Sequence, residues 1–281
     1  MALRDFSCNL NALALNTATL GHNLEGYGAG WSPEQVIDAC AERGYGGIVF
    51  WRREIGDRAI EIGNRVRAAG MEVTGLCRTP YLTGREAGNE YEIKGSIDMA
   101  AGLGTEVLTI VTGGTEPGGK GVVECQKCLA ERLASFVPYA KARGVKLALE
   151  PLNPMFGGSR TCIFTVADAL AVCEMVGSDQ IGIAVDVYHV WWDRLISASL
   201  SQAQGRIFGY HLCDWLEYTT DMLLDRGMMG DGVADLKGLR TMVEATGYAG
   251  RCEVEIFSRH WWAQDPAYVL DVIVDRFRTV C

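Results

Sequence analysis

The chain lacks most of the features that would direct it to a membrane, a nucleic acid or a disulfide-built scaffold. No apolar run approaches the ~18 residues of a membrane-spanning helix. The N-terminal MALRDFSCNLN has neither a basic flank before an apolar stretch nor a small-residue cleavage site. The expectation is therefore no membrane partner, no export leader and a cytoplasmic setting. No basic run exceeds the pair Arg52 and Arg53, and the net charge of −9 would repel a phosphate backbone, so nucleic acid is not an expected partner. The ten cysteines are scattered through apolar patterns, where a reduced thiol acts as a small hydrophobe. Cys125 and Cys128 form one C-x-x-C in a helical stretch, without the second pair that a structural zinc site requires. Histidine is also scarce: His22, His189, His211 and His260 are all there are.

What the chain does have is regular alternation. Eight short apolar runs, at 6–10, 46–51, 72–77, 107–112, 146–150, 182–187, 207–212 and 252–256, are separated by amphipathic segments. Helix starts are signalled by Ser32 before Pro33, by Asn89, by Thr165 and by Asp265 before Pro266. Gly44, Gly70, Gly104, Gly144, Gly177, Gly205 and Gly247 fall where those helices should stop. Eight units of about 35 residues with no linker between them predict one α/β domain over 1–281, a closed (β/α)8 TIM barrel in preference to a doubly wound sheet.

In such a barrel, chemistry sits where the strands end at the C-terminal mouth. Strand five reads KLALE and ends at Glu150, strand six GIAVD at Asp186, strand seven reaches His211, and strand eight CEVE ends at Glu255. One acid at a strand end is commonly a helix cap or a loop charge; four ligand-type residues on four consecutive strands are not explained that way. Alternation puts the small residues Ala148, Ala184 and Gly209 one layer beneath the first three, leaving space below an ion. Under Glu255 it puts Glu253, either a carboxylate that orients a ligand or part of a polar barrel layer, the former being favoured. Three carboxylates and an imidazole in a water-poor funnel repel unless a cation joins them. The expected cofactor is one divalent metal ion held by Glu150, Asp186, His211 and Glu255, Mn²⁺ foremost, with Mg²⁺, Co²⁺ or Zn²⁺ also fitting.

These motifs, LEPLN around Glu150, DVYH from Asp186, HLCD from His211 and VEIF around Glu255, resemble the xylose isomerase-like barrels over nearly the whole chain. That group includes hydroxypyruvate isomerase, the inositol-catabolism barrel proteins and the ketose 3-epimerases. The resemblance implies that the four strand-end residues hold the metal, that Glu150 and Glu255 flank the substrate and exchange its proton, and that His189 reaches a substrate oxygen. Arg226, in DRGMMGDG, resembles a substrate-contacting arginine with altered spacing. Where the ketose epimerases carry a longer Glu/Asn pattern after the strand-five glutamate, this chain has PLNPMF. Endonuclease IV shares the broad fold, but its three zinc ions need more histidines than four.

All seven tryptophans fall at or after strand ends on the mouth side. Trp51, Trp191 and Trp215 are expected against the substrate, while others of the set serve an oligomer contact, homomeric or heteromeric. Arg52, Arg78 and His22 are further polar candidates there. The expected partner is a small carbohydrate, and the reaction is proton abstraction to an enediolate, completed as isomerisation or epimerisation. The same intermediate would support a lyase that expels the aglycone of a 3-keto-glycoside. A non-catalytic sugar-binding or accessory subunit is the remaining alternative. Two rival motifs are set aside. GTEPGGKG from Gly114 nearly spells a phosphate loop, yet has Gly121 where a hydroxyl should meet Mg²⁺. Cys213 beside His211 shares its side of the strand and would compete for the same ion.

Overall fold

In the computed structural model, which describes residues 4–115, 119 and 121–281, eight parallel strands pair in sequence order and the last closes on the first. They are β1 (Leu13–Asn16), β2 (Gly47–Trp51), β3 (Glu72–Cys77), β4 (Val107–Ile110), β5 (Lys146–Leu149), β6 (Ile181–Asp186), β7 (Ile207–Leu212) and β8 (Cys252–Val254). Eleven α-helices among the described residues follow or interrupt the connections. They are α1 (Pro33–Glu42), α2 (Arg52–Ile55), α3 (Ala59–Ala68), α4 (Glu90–Leu103), α5 (Val122–Ala142), α6 (Val166–Val176), α7 (Val187–Val190), α8 (Ile196–Gln202), α9 (Leu236–Ala245), α10 (Arg259–Trp262) and α11 (Pro266–Thr279). The predicted (β/α)8 TIM barrel is what forms. No helix among the described residues is long and apolar enough to cross a membrane.

The helix starts follow the side-chain chemistry. Ser32, Asn89 and Thr165 each accept the backbone N–H three residues on, and Gln35, Glu92 and Asp168 reach back to complete reciprocal caps. Asp265 caps α11 ahead of Pro266. At the other ends Gly104 and Gly177 take left-handed φ of 81° and 68°, conformations that spare a glycine the Cβ clash.

Strand one lies elsewhere than expected. The apolar run 6–10 is no strand: the Phe6 ring stacks on Phe277 of α11, with centroids 4.3 Å apart, beneath the Arg240 guanidinium. Arg4 pairs with Glu244 of α9 and donates to the carbonyls of Ala249 and Gly250 just before β8. This segment covers the N-terminal end of the barrel. The strand is the later LALN, in which leucine and alanine are good helix formers and no residue is β-branched, so the segment gives little local strand signal. Pairing with β2 and β8 decides it. Of the phosphate-loop look-alike, residues 116–118 and 120 lie outside the described residues.

Close packing of α3 on α4 depends on Gly63, where an added Cβ would come 2.2 Å from the Leu103 carbonyl oxygen. That oxygen also accepts from Arg67 Nη1. Helix propensity alone would favour Gly63→Ala by about 1 kcal/mol. Overpacking against backbone should outweigh this, so urea unfolding of G63A is expected to show a loss of about 1–3 kcal/mol. A gain in stability would mean the two helices do not approach this closely.

Candidate metal centre and its cavity

Sheet register sets the site. Asp186 of β6 is level with His211 of β7, which is level with Glu253 of β8, and Glu255 lies two residues further toward the mouth. Glu150 directly follows β5. Ligand atoms of Glu150, Asp186, His211 and Glu255 all lie within 4.8 Å of one another, and all four residues are buried. His211 Nδ1 is 3.0 Å from Glu150 Oε1, 3.7 Å from Glu255 Oε2 and 4.0 Å from Asp186 Oδ2. Donors at about 2.1 Å from a small divalent ion are separated by roughly 3 Å when adjacent and about 4 Å when opposite, so these separations suit such an ion.

Behind the imidazole, His211 Nε2 faces Glu253 Oε2 at 3.2 Å. Of the two roles open to Glu253, the geometry is that of the orienting carboxylate. Gly209 lies beneath the ring, where an added Cβ would just touch His211 Nε2 and Ala184 Cβ, each 3.4 Å away. Together Glu150 and Glu253 hold the His211 ring well above its ordinary pKa despite burial, which opposes the charge.

Arg226 is the permanent cation of the cluster. Its Nη1 donates to Asp186 Oδ2 at 2.8 Å and to Glu255 Oε2 at 3.2 Å, while its plane lies between the rings of Tyr188 and Phe257. It arrives there because Asp214, of the HLCD motif, folds the loop after β7. The Asp214 carboxylate accepts the N–H groups of Trp215, Gly230, Gly232 and Ala234, and its backbone bridges Gly227. Burial alone would raise Asp186, but Arg226, His189 and His211 bring it down to about 2. Glu255 goes the other way: burial, reinforced by Glu150 and Asp186, pushes it up to about 8 against the pull of His211 and Arg226.

His189, on α7, receives the Asn153 N–H at Nδ1, 3.3 Å away. Its Nε2 faces Asp186 Oδ2 at 3.8 Å and Arg226 Nη2, which can only donate, at 3.4 Å. Burial lowers the ring to about 4, so it is neutral at physiological pH.

A cavity of about 460 Å³, counting its open mouth, rises from these groups. Trp51, Leu152, Phe156 and Phe257 form apolar walls, and Arg78, Arg160, Arg226, His189, Glu150 and Glu255 supply polar atoms. Of the three tryptophans expected at the substrate, Trp51 is on this wall. Trp215 instead packs on Tyr188 and on Trp191, with centroids 4.8 and 5.5 Å away, and neither Trp191 nor Trp215 lines the cavity. Their apolar faces are used to hold α7 and the β7 loop together. Arg78 lines the cavity, Arg52 does not, and His22 turns to Glu54 Oε2 at 2.9 Å. Cys213 is buried with its thiol raised well above the ordinary value by burial and by Asp186, far from the condition of a nucleophile.

Three residues escaped the sequence reading. Asn16, at the end of β1, donates to Glu255 Oε1 at 2.9 Å, and its oxygen accepts from Trp51 Nε1 at 2.8 Å and from the Ala18 N–H. Two donors on Oδ1 fix which way the amide points. Arg160 comes from the loop after β5, and Asp214 closes the HLCD motif. A polar residue ending an apolar strand is the signal for Asn16, hidden because LALN does not read as a strand.

The model of the xylose isomerase-like TIM barrel matches residues 37–274. The solved protein SMc04130 of Sinorhizobium meliloti 1021 is 38% identical, with a TM-score of 0.88 over 97% of this chain and 99% of that one. A structure described as IOLI protein with a binding zinc atom superposes with a TM-score of 0.79 over 96% of this chain and 99% of that one, at 21% identity, a likeness of fold. Inosose isomerase of Bacillus subtilis (strain 168) is 28% identical over 177 residues, 61% of each chain. The chain spans about half to three-fifths of the length of the curated relatives first matched. With a family match running from the middle of α1 almost to the end of α11, and with the barrel closed as that family requires, the chain belongs to the xylose isomerase-like TIM barrels.

Proposed function

We propose that this chain is a divalent-metal-dependent isomerase or epimerase of a sugar-like hydroxy-carbonyl compound. The observation that carries the reading is the convergence of Glu150, Asp186, His211 and Glu255 at the cavity floor. The donor chemistry fits a cation: with Glu253, four buried carboxyls face one permanent positive charge, Arg226. Isomerase activity in the Bacillus subtilis relative and the zinc named for the IOLI structure agree with this. The oxygen-rich donor set with one imidazole favours Mn²⁺, with Mg²⁺, Co²⁺ or Zn²⁺ compatible.

When bound there, the cation supplies Lewis-acid polarisation of the substrate's carbonyl. The chain's own groups do the proton work. Glu150 or Glu255 takes the proton from the carbon beside the carbonyl, the electron pair passes into an enediolate, and a proton returns to the neighbouring carbon or to the opposite face. Asn16 and Arg226 hold the two oxygens of Glu255 by one hydrogen bond each, which steadies that carboxylate for the transfer. His189 lines the cavity within reach of a substrate oxygen, and Trp51, Phe156 and Phe257 keep bulk water from the reacting carbon.

Two measurements check the reading. Chelator-stripped protein titrated with Mn²⁺ should bind one ion; Asp186→Asn should abolish the binding, and Glu253→Gln should weaken it about 10–100-fold by freeing the His211 ring. Unchanged affinity in E253Q would show that this carboxylate does not orient the ligand. Separately, in D₂O the metal-replete protein should wash deuterium into an inosose or a ketose, EDTA should stop it, and Glu255→Gln should slow it by at least about 100-fold. Metal-loaded protein that exchanges no such compound would overturn the proposed reaction.

A further inference from the structure

Arg58 sits on Glu34 and Glu61, Arg65 on Asp38, and Arg143 on Asp98, each with an acid partner. Two arginines that line the cavity have none. Arg78 and Arg160 are half-buried, and among the described residues neither has a carboxylate within 4.0 Å. Arg78 rests on the Tyr81 ring, 4.4 Å from its centroid, and gives one hydrogen bond to the Thr79 carbonyl. Arg160 rests on the Phe156 ring at 5.7 Å, and its guanidinium donates no hydrogen bond among the described residues. Arg52 stands close enough for the like charge of Arg78, added to burial, to lower its pKa; the acid whose field reaches it, Glu92, is occupied in capping Asn89.

A partly desolvated guanidinium without a counter-charge is unfavourable, and a cluster of them more so. The aromatic rings support these groups, and apart from the Arg78 bond to Thr79 their N–H donors stay unspent, in the form that pairs with carboxylate or phosphate oxygens. Nor do Arg78 and Arg160 serve the acidic floor, whose ion pairs are made by Arg226. The cavity is thus polarised, with buried acids at its base and uncommitted cations on its wall.

We propose that the substrate carries an anionic group, carboxylate or phosphate, which Arg78 and Arg160 hold while its hydroxy-carbonyl end reaches the floor. This rests on the reading of the floor as the reacting end. An anchored anion would orient the molecule, and a neutral sugar would forgo that binding energy.

The full chain, in low salt, is titrated calorimetrically with D-glucose, D-glucuronate and D-glucose 6-phosphate. At least one anion is expected to bind tenfold or more tightly than glucose, and whichever arm does so names the group. Arg160→Gln and Arg78→Gln should each remove at least tenfold of that affinity, with Arg160→Lys keeping part of it; circular dichroism and the Mn²⁺ titration verify that the variants are folded. Both anions binding no better than glucose, or glutamine variants binding them as the parent does, overturns the proposal. A chain that prefers the anion yet takes up no Mn²⁺ supports the anion site and overturns the functional reading instead. Metal-dependent exchange on a neutral ketose, with no anion preference, does the reverse.

Discussion

Four carboxyl groups buried at one end of a barrel are the constraint around which this molecule is arranged. Glu150, Asp186, Glu253 and Glu255 are all withdrawn from water, and ionised carboxylates cannot share a low-dielectric space without compensation. Part of that compensation is internal. Arg226 binds two of them and His211 touches the others, so that Asp186 stays ionised to about pH 2 while Glu255, less well served, is pushed up to about 8. The remainder is the physical case for a cation.

That arrangement imposes further structure. A buried guanidinium needs support, which Tyr188 and Phe257 give from its two faces, and it needs a loop held still enough to deliver it. Asp214 holds that loop through four backbone N–H groups, and Trp215 and Trp191 pack beside it. On the other side Asn16 and Trp51 lock the second oxygen of Glu255 from β1 and β2. Groups on strand ends, braced by neighbours whose own hydrogen bonds are satisfied, are what proton transfer at a fixed carbon requires. The relatives share the barrel; the arginines on the outer wall belong to the question of what this particular chain accepts.

Much of this was legible before any coordinates. Strands two to eight were marked by apolar runs bounded by turn residues, and helix starts by Ser32, Asn89, Thr165 and Asp265, because such signals act over three or four residues. The convergence of Glu150, Asp186, His211 and Glu255 was legible for the same reason: alternation along a strand says which residues share a face. Strand one was not, since Leu-Ala alternation carries no strand preference of its own, and the more strand-like Phe6 segment had a better partner in Phe277. The cavity wall was legible only in part, because tryptophan suits a binding surface and a packing contact equally well.

The sequence alone determined the barrel, the acids and histidine at its strand ends and the mouth at which they gather, since periodicity and capping are local and the barrel rule carries them to one place. Only tertiary structure decided that Glu253 stands behind His211, that Asn16 reaches Glu255, that Trp191 and Trp215 support a loop, and that Arg160 and Arg78 line the same cavity. Each of these depends on the register between strands or the path of a loop. Those are set by long-range pairing and packing, which no window of neighbouring residues contains.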